Sequence, residues 1–452
     1  MNNLMDIPVI KTFVKNCRYY LYSAYFNRLY EIDKSMYEEI GLLLKIGVKA
    51  YISGCKKNEL YGDIRMLIDK GVLKCAFIEN IEHPLTIFLP QLLKRRVAGM
   101  TFQVTKRCNF DCRYCVIASK NEMIRTHMHE DMSWDIAKKS IDYLYTHSKD
   151  VTAINVAFYG GEPMLNYKLI VDIVNYMERR FITKTIRYMM TINGSVLSEE
   201  MIKFLSFHQF DIAVSLDGPK EIQNRHRVFA SNGNGTFDVV YNNVLKIKEI
   251  DRDYYYEHVT FMPVVFRDEI INNIKSFFGQ LGKAENEISK LDVSLNGIDY
   301  YYSENVDFTN KGNLGYNREK SDNNYTSVYN DKRNLPSKWH HNGPCVPTEK
   351  MLINTDGSIS ICEKAENVII GDISQGIKLE SVKECLNIGK LTGDDCKNCW
   401  ALRFCSLCVM DCADMTNGKM NIDRKVAQCK QIKRDVLSFF KRCIINNDLQ
   451  GE

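Results

Sequence analysis

The sequence has no long apolar run and no strong net charge. None of its apolar stretches approaches the roughly 20 residues that a membrane-spanning helix needs. Met1–Asp6 at the N-terminus has neither the basic nor the apolar region of a secretory signal. The formal net charge is only +4 over 452 residues, which does not favour nucleic acid or a membrane surface as a partner. We therefore expect a cytoplasmic protein with neither kind of partner.

Cysteine, by contrast, is abundant. The chain has 16 cysteines, and a reducing cytosol makes metal or redox chemistry a better explanation for them than disulfides. Three lie between Cys108 and Cys115, and nine lie between Cys345 and Cys429. The other four are scattered, and we expect them to be packing residues.

The first group has the spacing Cys108-x3-Cys112-x2-Cys115. A cubane iron-sulfur cluster normally takes four protein ligands, so three thiolates would hold three of its irons and leave the fourth open. Because Cys-x2-Cys pairs also bind zinc, a zinc site or a set of buried thiols is the alternative.

This spacing, with Tyr114 before the last cysteine, resembles the signature of the radical S-adenosylmethionine (radical SAM) enzymes. The resemblance implies that SAM binds the open iron and is cleaved to a 5′-deoxyadenosyl radical. Gly160-Gly161-Glu162 resembles the family motif for the SAM amino group, where glycines admit a ligand close to the backbone and a carboxylate neutralises an ammonium. The run from Ser215 to Arg227 resembles the stretch that contacts the polar end of SAM. The implied SAM-binding residues are Tyr114, Gly160, Gly161, Glu162, Asn193, Ser215, Asp217 and Arg227.

Apolar runs alternate with helical patterns from about residue 99 to residue 266, which predicts βα units with parallel strands. The first strand, Met100–Val104, would deliver the cysteine loop at its carboxyl end, where α/β sheets place ligands. Further strands are predicted at Ala153–Phe158, Met189–Ile192, Asp211–Leu216 and Thr260–Val265. The fold class is therefore α/β, and by resemblance a partial (β/α)6 radical SAM barrel.

Residues 1–95 are predicted to form a small winged-helix-like domain. Ile7–Val14 and Cys17–Ile32 have strand composition, Ser35-Met-Tyr-Glu38 fits a helix-capping box, and Asn58–Lys70 fits a helix. The near-neutral charge of Lys57–Lys74 disfavours DNA binding. The domain resembles the precursor-recognition (RRE, PqqD-like) domain of peptide-modifying radical SAM enzymes, which captures a leader peptide as an added strand. A domain that only packs against the rest is the alternative.

The second cysteine group has the order Cys345-x11-Gly357-x4-Cys362, Cys396-x2-Cys399-x5-Cys405-x2-Cys408-x3-Cys412, then Cys429. These thiols could hold two four-iron clusters or several zinc ions. The set resembles a SPASM domain, which implies two auxiliary clusters. Asp356-Gly357 would form a hairpin that brings Cys345 and Cys362 together.

By that resemblance one auxiliary cluster is held by Cys396, Cys399, Cys405 and Cys429. The other is held by Cys345 and Cys362 with either Cys408 or Cys412, a choice that the unusual spacing leaves open. Cys385 falls outside the pattern. Glu363 occupies the position at which some relatives carry a catalytic base, although an exposed glutamate is the alternative.

The predicted organisation is a recognition domain at 1–95, a radical SAM core at 96–299, a bridge at 300–344 and a SPASM domain at 345–452. The resemblance implies SAM, three [4Fe-4S] clusters, a leader-bearing precursor peptide, and an electron donor such as flavodoxin or ferredoxin. The predicted reaction is thioether formation between cysteine sulfur and carbon, of the sactipeptide or ranthipeptide type. The alternatives are sulfatase-type activation, epimerisation or carbon-carbon crosslinking and, more remotely, a zinc-binding winged-helix regulator.

Overall fold

The computed structural model describes nine segments of the chain. They are residues 6–54, 60–115, 129–266, 271–283, 291–293, 300–301, 338–339, 346–414 and 416–448. Cys345, the predicted ligand, and most of the predicted bridge lie outside the described residues.

The N-terminal part is an antiparallel sheet followed by three helices, as the residue pattern predicts. The strands are β1 (Ile10–Lys15), β2 (Arg18–Ser23) and β3 (Arg28–Ile32), and the helices are α1 (Lys34–Ile46), α2 (Val48–Gly54) and α3 (Tyr61–Asp69). Ile10 and Leu21 on one face of the sheet pack against Ile40 and Leu43 of α1.

The predicted capping box at the start of α1 is wrong. Asp33 caps the helix, because its carboxylate accepts a 2.7 Å hydrogen bond from Met36 N. Ser35 therefore lies inside the first turn, where its hydroxyl is not the cap.

Five parallel strands form the central sheet, in the order β5 (Gly99–Thr105), β6 (Ala153–Gly160), β7 (Thr185–Ile192), β8 (Asp211–Val214) and β9 (Val259–Phe261). The helices of this part are α4 (Leu89–Arg95), α5 (Trp134–His147), α6 (Tyr167–Arg180), α7 (Glu199–Phe207), α8 (Lys220–His226), α9 (Phe237–Ile250), α10 (Arg252–His258) and α11 (Ile271–Gln280). Every residue of β5 is buried, as expected of a parallel sheet covered by helices. The predicted α/β fold is confirmed.

The strand predicted at Thr260–Val265 is divided in two. Pro263 has no N–H to donate to a ladder and lies between β9 and β10 (Val264–Phe266). β10 joins a separate sheet with β11 (Leu291–Val293) and β12 (Tyr300–Tyr301).

The cysteine-rich part extends the central sheet beyond β5. β14 (Leu352–Ile353) pairs in parallel with β5, and β15 (Ser358–Ser360), β16 (Ile369–Asp372) and β17 (Gly376–Ile377) continue in antiparallel order. The predicted turn is confirmed between β14 and β15, where Gly357 adopts a φ of 89° that favours glycine. This hairpin places Cys362 beside the barrel.

Four helices complete the C-terminal part: α12 (Leu379–Leu386), α13 (Gly393–Lys397), α14 (Val409–Cys412) and α15 (Ile422–Asp448). A two-residue parallel pair joins β4 (Asn80–Ile81) to β13 (Lys338–Trp339). The second face of the N-terminal sheet packs on α15, through Phe13 and Tyr22 against Val436 and Phe440. In the described part of the chain, every helix is too short or too polar to cross a membrane.

Candidate active site

The first cysteine loop follows β5 and is held by backbone hydrogen bonds. Asp111 N donates to Val228 O and Arg113 N to His226 O, both at 2.9 Å, so the loop is tied to the segment after α8. Phe110 N donates to Cys108 Sγ at 3.5 Å. The loop is therefore positioned at the carboxyl end of the first barrel strand, as predicted.

The three thiols of this loop lie close enough to affect one another. Burial raises the pKa of Cys108 and of Cys112 to about 12, and the neighbouring thiolate of Cys115 acts in the same direction. Such thiols stay protonated at neutral pH unless a cation compensates them. Metal binding at this loop would therefore release protons.

The donor set of this loop consists of three thiols. Thiolates hold an iron-sulfur cluster from outside, and soft sulfur ligands suit such clusters. The residues of this loop therefore fit an iron-sulfur cluster.

The glycine turn after β6 touches the cysteine loop. A Cβ on Gly161 would stand 2.9 Å from the Cβ of Cys108 and would also collide with the Arg107 carbonyl. The next residue, Glu162, donates its backbone N–H to Arg107 O at 2.8 Å. Glycine at position 161 is therefore required for the turn after β6 to lie against the cysteine loop.

Glu162 is 1% exposed, and its carboxylate accepts hydrogen bonds from Met164 N at 3.1 Å and from Asn193 N at 2.6 Å. Burial raises its pKa to about 7, against the lowering effect of these two N–H groups. An adjacent amino group would favour the ionised carboxylate. The site thus fits the amino group of SAM.

Asn193 links this carboxylate to the cysteine loop. Its Nδ2 donates to Asn109 Oδ1 at 2.7 Å, and Asn109 Nδ2 donates to Ser195 Oγ at 2.8 Å. Asn109 and Ser195 are not among the residues predicted for this site. The signal for Asn109 was its place inside the cysteine motif, directly after Cys108.

Asp217 and Arg227 form a buried bidentate pair. Arg227 Nε and Nη2 donate to the two Asp217 oxygens at 2.9 and 3.0 Å. The Arg227 side chain is 8% exposed and the Asp217 side chain 1%. Burial disfavours the charged form of Arg227 and acts to lower its pKa. The negative charge of Asp217 outweighs this effect and raises the pKa of Arg227. Val264 N also donates to Asp217, at 2.8 Å, whereas Ser215 N bonds Ile192 O and ties β8 to β7. One edge of the Arg227 guanidinium is therefore committed to Asp217.

The second cysteine array separates into two groups. Burial raises the pKa of Cys408 to about 12, and the negative charges of Asp411 and Cys362 add to this effect. Cys362 likewise adds to the burial effect on Cys385. The charge of Cys362 therefore acts on both Cys408 and Cys385.

The other group comprises Cys396, Cys399, Cys405, Cys412 and Cys429. Burial raises the pKa of Cys405, and the thiolates of Cys399, Cys429 and Cys396 act in the same direction. Burial also raises the pKa of Cys412 to about 12, with added effects from Cys429 and Cys396. The charge of Cys362 thus acts on Cys408, whereas the charges of Cys429 and Cys396 act on Cys412.

Glu363 is paired rather than exposed. Lys350 Nζ lies 2.7 Å from each Glu363 carboxylate oxygen, and the Glu363 side chain is 20% exposed. Although burial acts to raise it, the Lys350 ammonium holds the pKa of Glu363 below its ordinary value. Glu363 is consequently an ionised carboxylate beside Cys362.

Part of the chain matches a known protein family. Residues 102–280 match the model of the Radical SAM superfamily. The chain is 25% identical over 342 residues to the cysteine-type anaerobic sulfatase-maturating enzyme of Clostridium perfringens, covering 68% of this chain and 87% of that enzyme. It is 20% identical to the radical SAM cyclopropyl synthase TigE of Paramaledivibacter caminithermalis, covering 55% of this chain and 54% of the synthase.

An uncharacterised protein of Methanocaldococcus jannaschii is 30% identical over 141 residues, and the match spans 31% of this chain and 46% of that protein. The chain thus spans less than two thirds of this relative and of TigE. The solved structure of native anSMEcpe with bound AdoMet has the same fold, with a TM-score of 0.50, 19% identity, and coverage of 77% of this chain and all of that one. Residues 102–280 thus match the Radical SAM superfamily, and a larger part of the chain is similar to an anaerobic sulfatase-maturating enzyme.

Proposed function

We propose that this protein is a radical SAM peptide maturase that binds a leader-bearing, cysteine-rich precursor and forms thioether crosslinks in it. The radical SAM domain and its SPASM-type relatives support the enzyme class. The observation that carries the precursor assignment is the open edge of the N-terminal sheet.

Both faces of that sheet are covered, one by α1 to α3 and the other by α15. Pro8, just before β1, bridges to Cys75 and so covers part of the β1 edge. β3 pairs with β2 and forms the other edge of the sheet. An edge strand can accept an extended peptide as a further strand.

In the barrel, Cys108, Cys112 and Cys115 would hold the SAM cluster. The bound cluster and SAM would supply the 5′-deoxyadenosyl radical that removes a hydrogen atom from the substrate. Glu162 would receive the SAM amino group, while the glycine turn keeps the backbone clear of it. Tyr114, Asn193, Ser215, Asp217 and Arg227 would shape the rest of the SAM site.

In the cysteine-rich part, Cys345, Cys362 and Cys408 would hold one auxiliary cluster with a position left for a substrate thiolate. Cys396, Cys399, Cys405 and Cys429 would hold the other. Glu363, which is ionised, would accept the proton of the substrate thiol, and its ion pair with Lys350 lowers its basicity. A flavodoxin or ferredoxin would supply electrons.

A second candidate is sulfatase-type activation. It is favoured by the match to 87% of the C. perfringens sulfatase-maturating enzyme. That reaction needs no leader-binding edge, so dependence on the leader separates the two candidates.

The test uses anaerobically reconstituted enzyme, dithionite, SAM and the short cysteine-rich peptide encoded nearest to the gene, with and without its N-terminal half. The expected result is the loss of two hydrogen atoms and of one alkylatable thiol per crosslink, only when the N-terminal half is present. Conversion of cysteine to an aldehyde in a sulfatase-derived peptide, with no change in the precursor, would support the second candidate instead.

A proline scan along β3 tests the binding edge. Successive N–H groups of an edge strand alternate between the neighbouring strand and solvent. Proline at alternate positions of Arg28–Ile32 should abolish binding of the labelled N-terminal half while the protein stays folded by circular dichroism. Undiminished binding at every position would rule out strand addition at β3.

A further inference from the structure

Lys425 is fully buried on α15, at 0% exposure, among the thiols of the second group. Its Nζ donates to Thr392 Oγ1 at 2.6 Å and to Cys396 Sγ at 3.2 Å. Thr392 Oγ1 lies 3.2 Å from the same sulfur, so the three side chains form a closed triangle. Lys425 is thereby fixed against one specific thiol.

A buried ammonium is costly unless an anion compensates it. In the segments that the structure describes, no carboxylate forms an ion pair with Lys425, and the polar atoms it contacts are a neutral hydroxyl and a sulfur. The acidic neighbours on α15, such as Asp423, lie on its exposed side. The sulfur of Cys396 is therefore the acceptor that this geometry places against the buried ammonium.

We propose that Lys425 is a positioning residue that raises the reduction potential of the auxiliary cluster held by Cys396. The inference rests on the proposed function only in assigning Cys396 to a cluster. Hydrogen bonds to the ligating sulfurs and the local net charge are among the factors that set cluster potentials. The reduced state carries one more negative charge than the oxidised state, so a fixed cation beside a ligand sulfur favours reduction.

The electron balance is simple. One electron enters the oxidised cluster, and no bond is made or broken. In the proposed reaction that electron is the one released when a carbon radical and a thiolate join. In the experiment it comes from dithionite.

The test is a redox titration followed by electron paramagnetic resonance, on full-length protein with Cys108, Cys112 and Cys115 replaced by alanine, so that only auxiliary clusters contribute. Lys425→Met removes the charge and the hydrogen bond, and Lys425→Gln removes the charge but keeps a donor. Lys430→Met is the matched control, because Lys430 is an exposed lysine of the same helix. Iron and sulfide contents are measured on each sample.

We expect Lys425→Met to make reduction of one cluster at least tenfold less favourable, which is about 59 mV for a one-electron couple. Lys425→Gln should show a smaller shift in the same direction, and Lys430→Met none. An unchanged potential at full iron content in Lys425→Met overturns the proposal. Loss of iron from both Lys425 variants, with Lys430→Met intact, makes Lys425 a structural anchor and also overturns it.

The same measurements distinguish failure of the proposed function from failure of the role proposed for Lys425. If the unsubstituted auxiliary site binds zinc and gives no redox signal, both proposals fail together. If its clusters titrate normally but no precursor is crosslinked, the proposed function fails while the role of Lys425 is still measured.

Discussion

Tyr114 Oη donates a 2.8 Å hydrogen bond to Asp217 Oδ2 and so joins the cysteine loop to the end of β8. The same carboxylate accepts hydrogen bonds from Arg227 and from Val264 N. The Arg227 guanidinium also lies 5.2 Å from the centre of the Tyr114 ring. One buried carboxylate therefore fixes the cysteine loop against two other segments of the barrel.

Replacing that carboxylate should destabilise the protein strongly. Asp217→Asn leaves the buried Arg227 without its counter-charge, and breaking one side of a buried pair costs about 3–5 kcal/mol. Urea unfolding of the anaerobically purified protein measures the change. Asp150→Asn, which breaks the exposed pair with Arg95, is the control and should have little effect. Similar small losses in both variants would mean that the buried pair does not hold the loop.

The barrel strands and the motifs at their ends could be predicted because each depends on a contiguous run of residues. Cys108 and Gly161 lie together simply because β5 and β6 are parallel neighbours. The grouping of Cys408 with Cys362 could not be predicted, since it depends on how α14 packs against the hairpin. The Lys425 contact was equally hidden, because a lysine in an ordinary helical pattern carries no sign of burial.

The glycine turn gives a second prediction. Gly161→Ala places a methyl group against the Arg107 carbonyl and 2.9 Å from the Cys108 Cβ, and backbone atoms cannot move aside as a flexible side chain can. We expect loss of most of the SAM-cluster iron and at least tenfold weaker SAM binding, measured by iron analysis and equilibrium dialysis.

The matched control for that substitution is Gly279→Ala in α11, where an added Cβ meets nothing within 4 Å. Alanine is favoured over glycine in a helix by about 1 kcal/mol, so this variant should keep its iron and be slightly more stable. Full iron content and SAM affinity in Gly161→Ala would show that the turn and the cysteine loop are not in close contact.

A third prediction concerns pH. The folded pKa of Glu162 is about 7 against an ordinary value of 4.5, so the unfolded chain ionises first. The contribution of Glu162 to the free energy of unfolding is therefore largest below about pH 4.5 and is lost as the pH rises through 7. At about 1.4 kcal/mol per pKa unit, the loss is on the order of 3 kcal/mol.

Glu162→Gln should abolish this dependence, and the difference in unfolding free energy from the wild type, without added SAM, should change steadily between pH 5 and pH 8. Glu199 at the exposed start of α7 is the control. Its pKa is lowered by Lys203, so Glu199→Gln should give a small effect of opposite sign. A pH-independent difference for Glu162→Gln would place its pKa near the ordinary value.

The last prediction concerns which of Cys408 and Cys412 is a ligand of the cluster that Cys362 helps to hold. We assign Cys408 to the cluster of Cys362, because the charge of Cys362 acts on Cys408. The charges of Cys396 and Cys429, whose proposed cluster already has four ligands, act on Cys412 instead. Cys408→Ser should therefore lose iron equivalent to about one four-iron cluster. Cys412→Ser should keep its iron.

The double variant Cys362→Ser/Cys408→Ser sharpens this assignment. Two ligands of one cluster act as a unit, so removing both should cost no more iron than removing either, and the effects should not add. Ligands of different clusters would instead give additive losses, as expected for Cys396→Ser combined with Cys408→Ser. Iron analysis compares the two double variants with the four single variants Cys362→Ser, Cys396→Ser, Cys408→Ser and Cys412→Ser, all after identical anaerobic reconstitution. Additive losses from Cys362 and Cys408, or iron loss in Cys412→Ser alone, would reverse the assignment and make Cys412 the ligand.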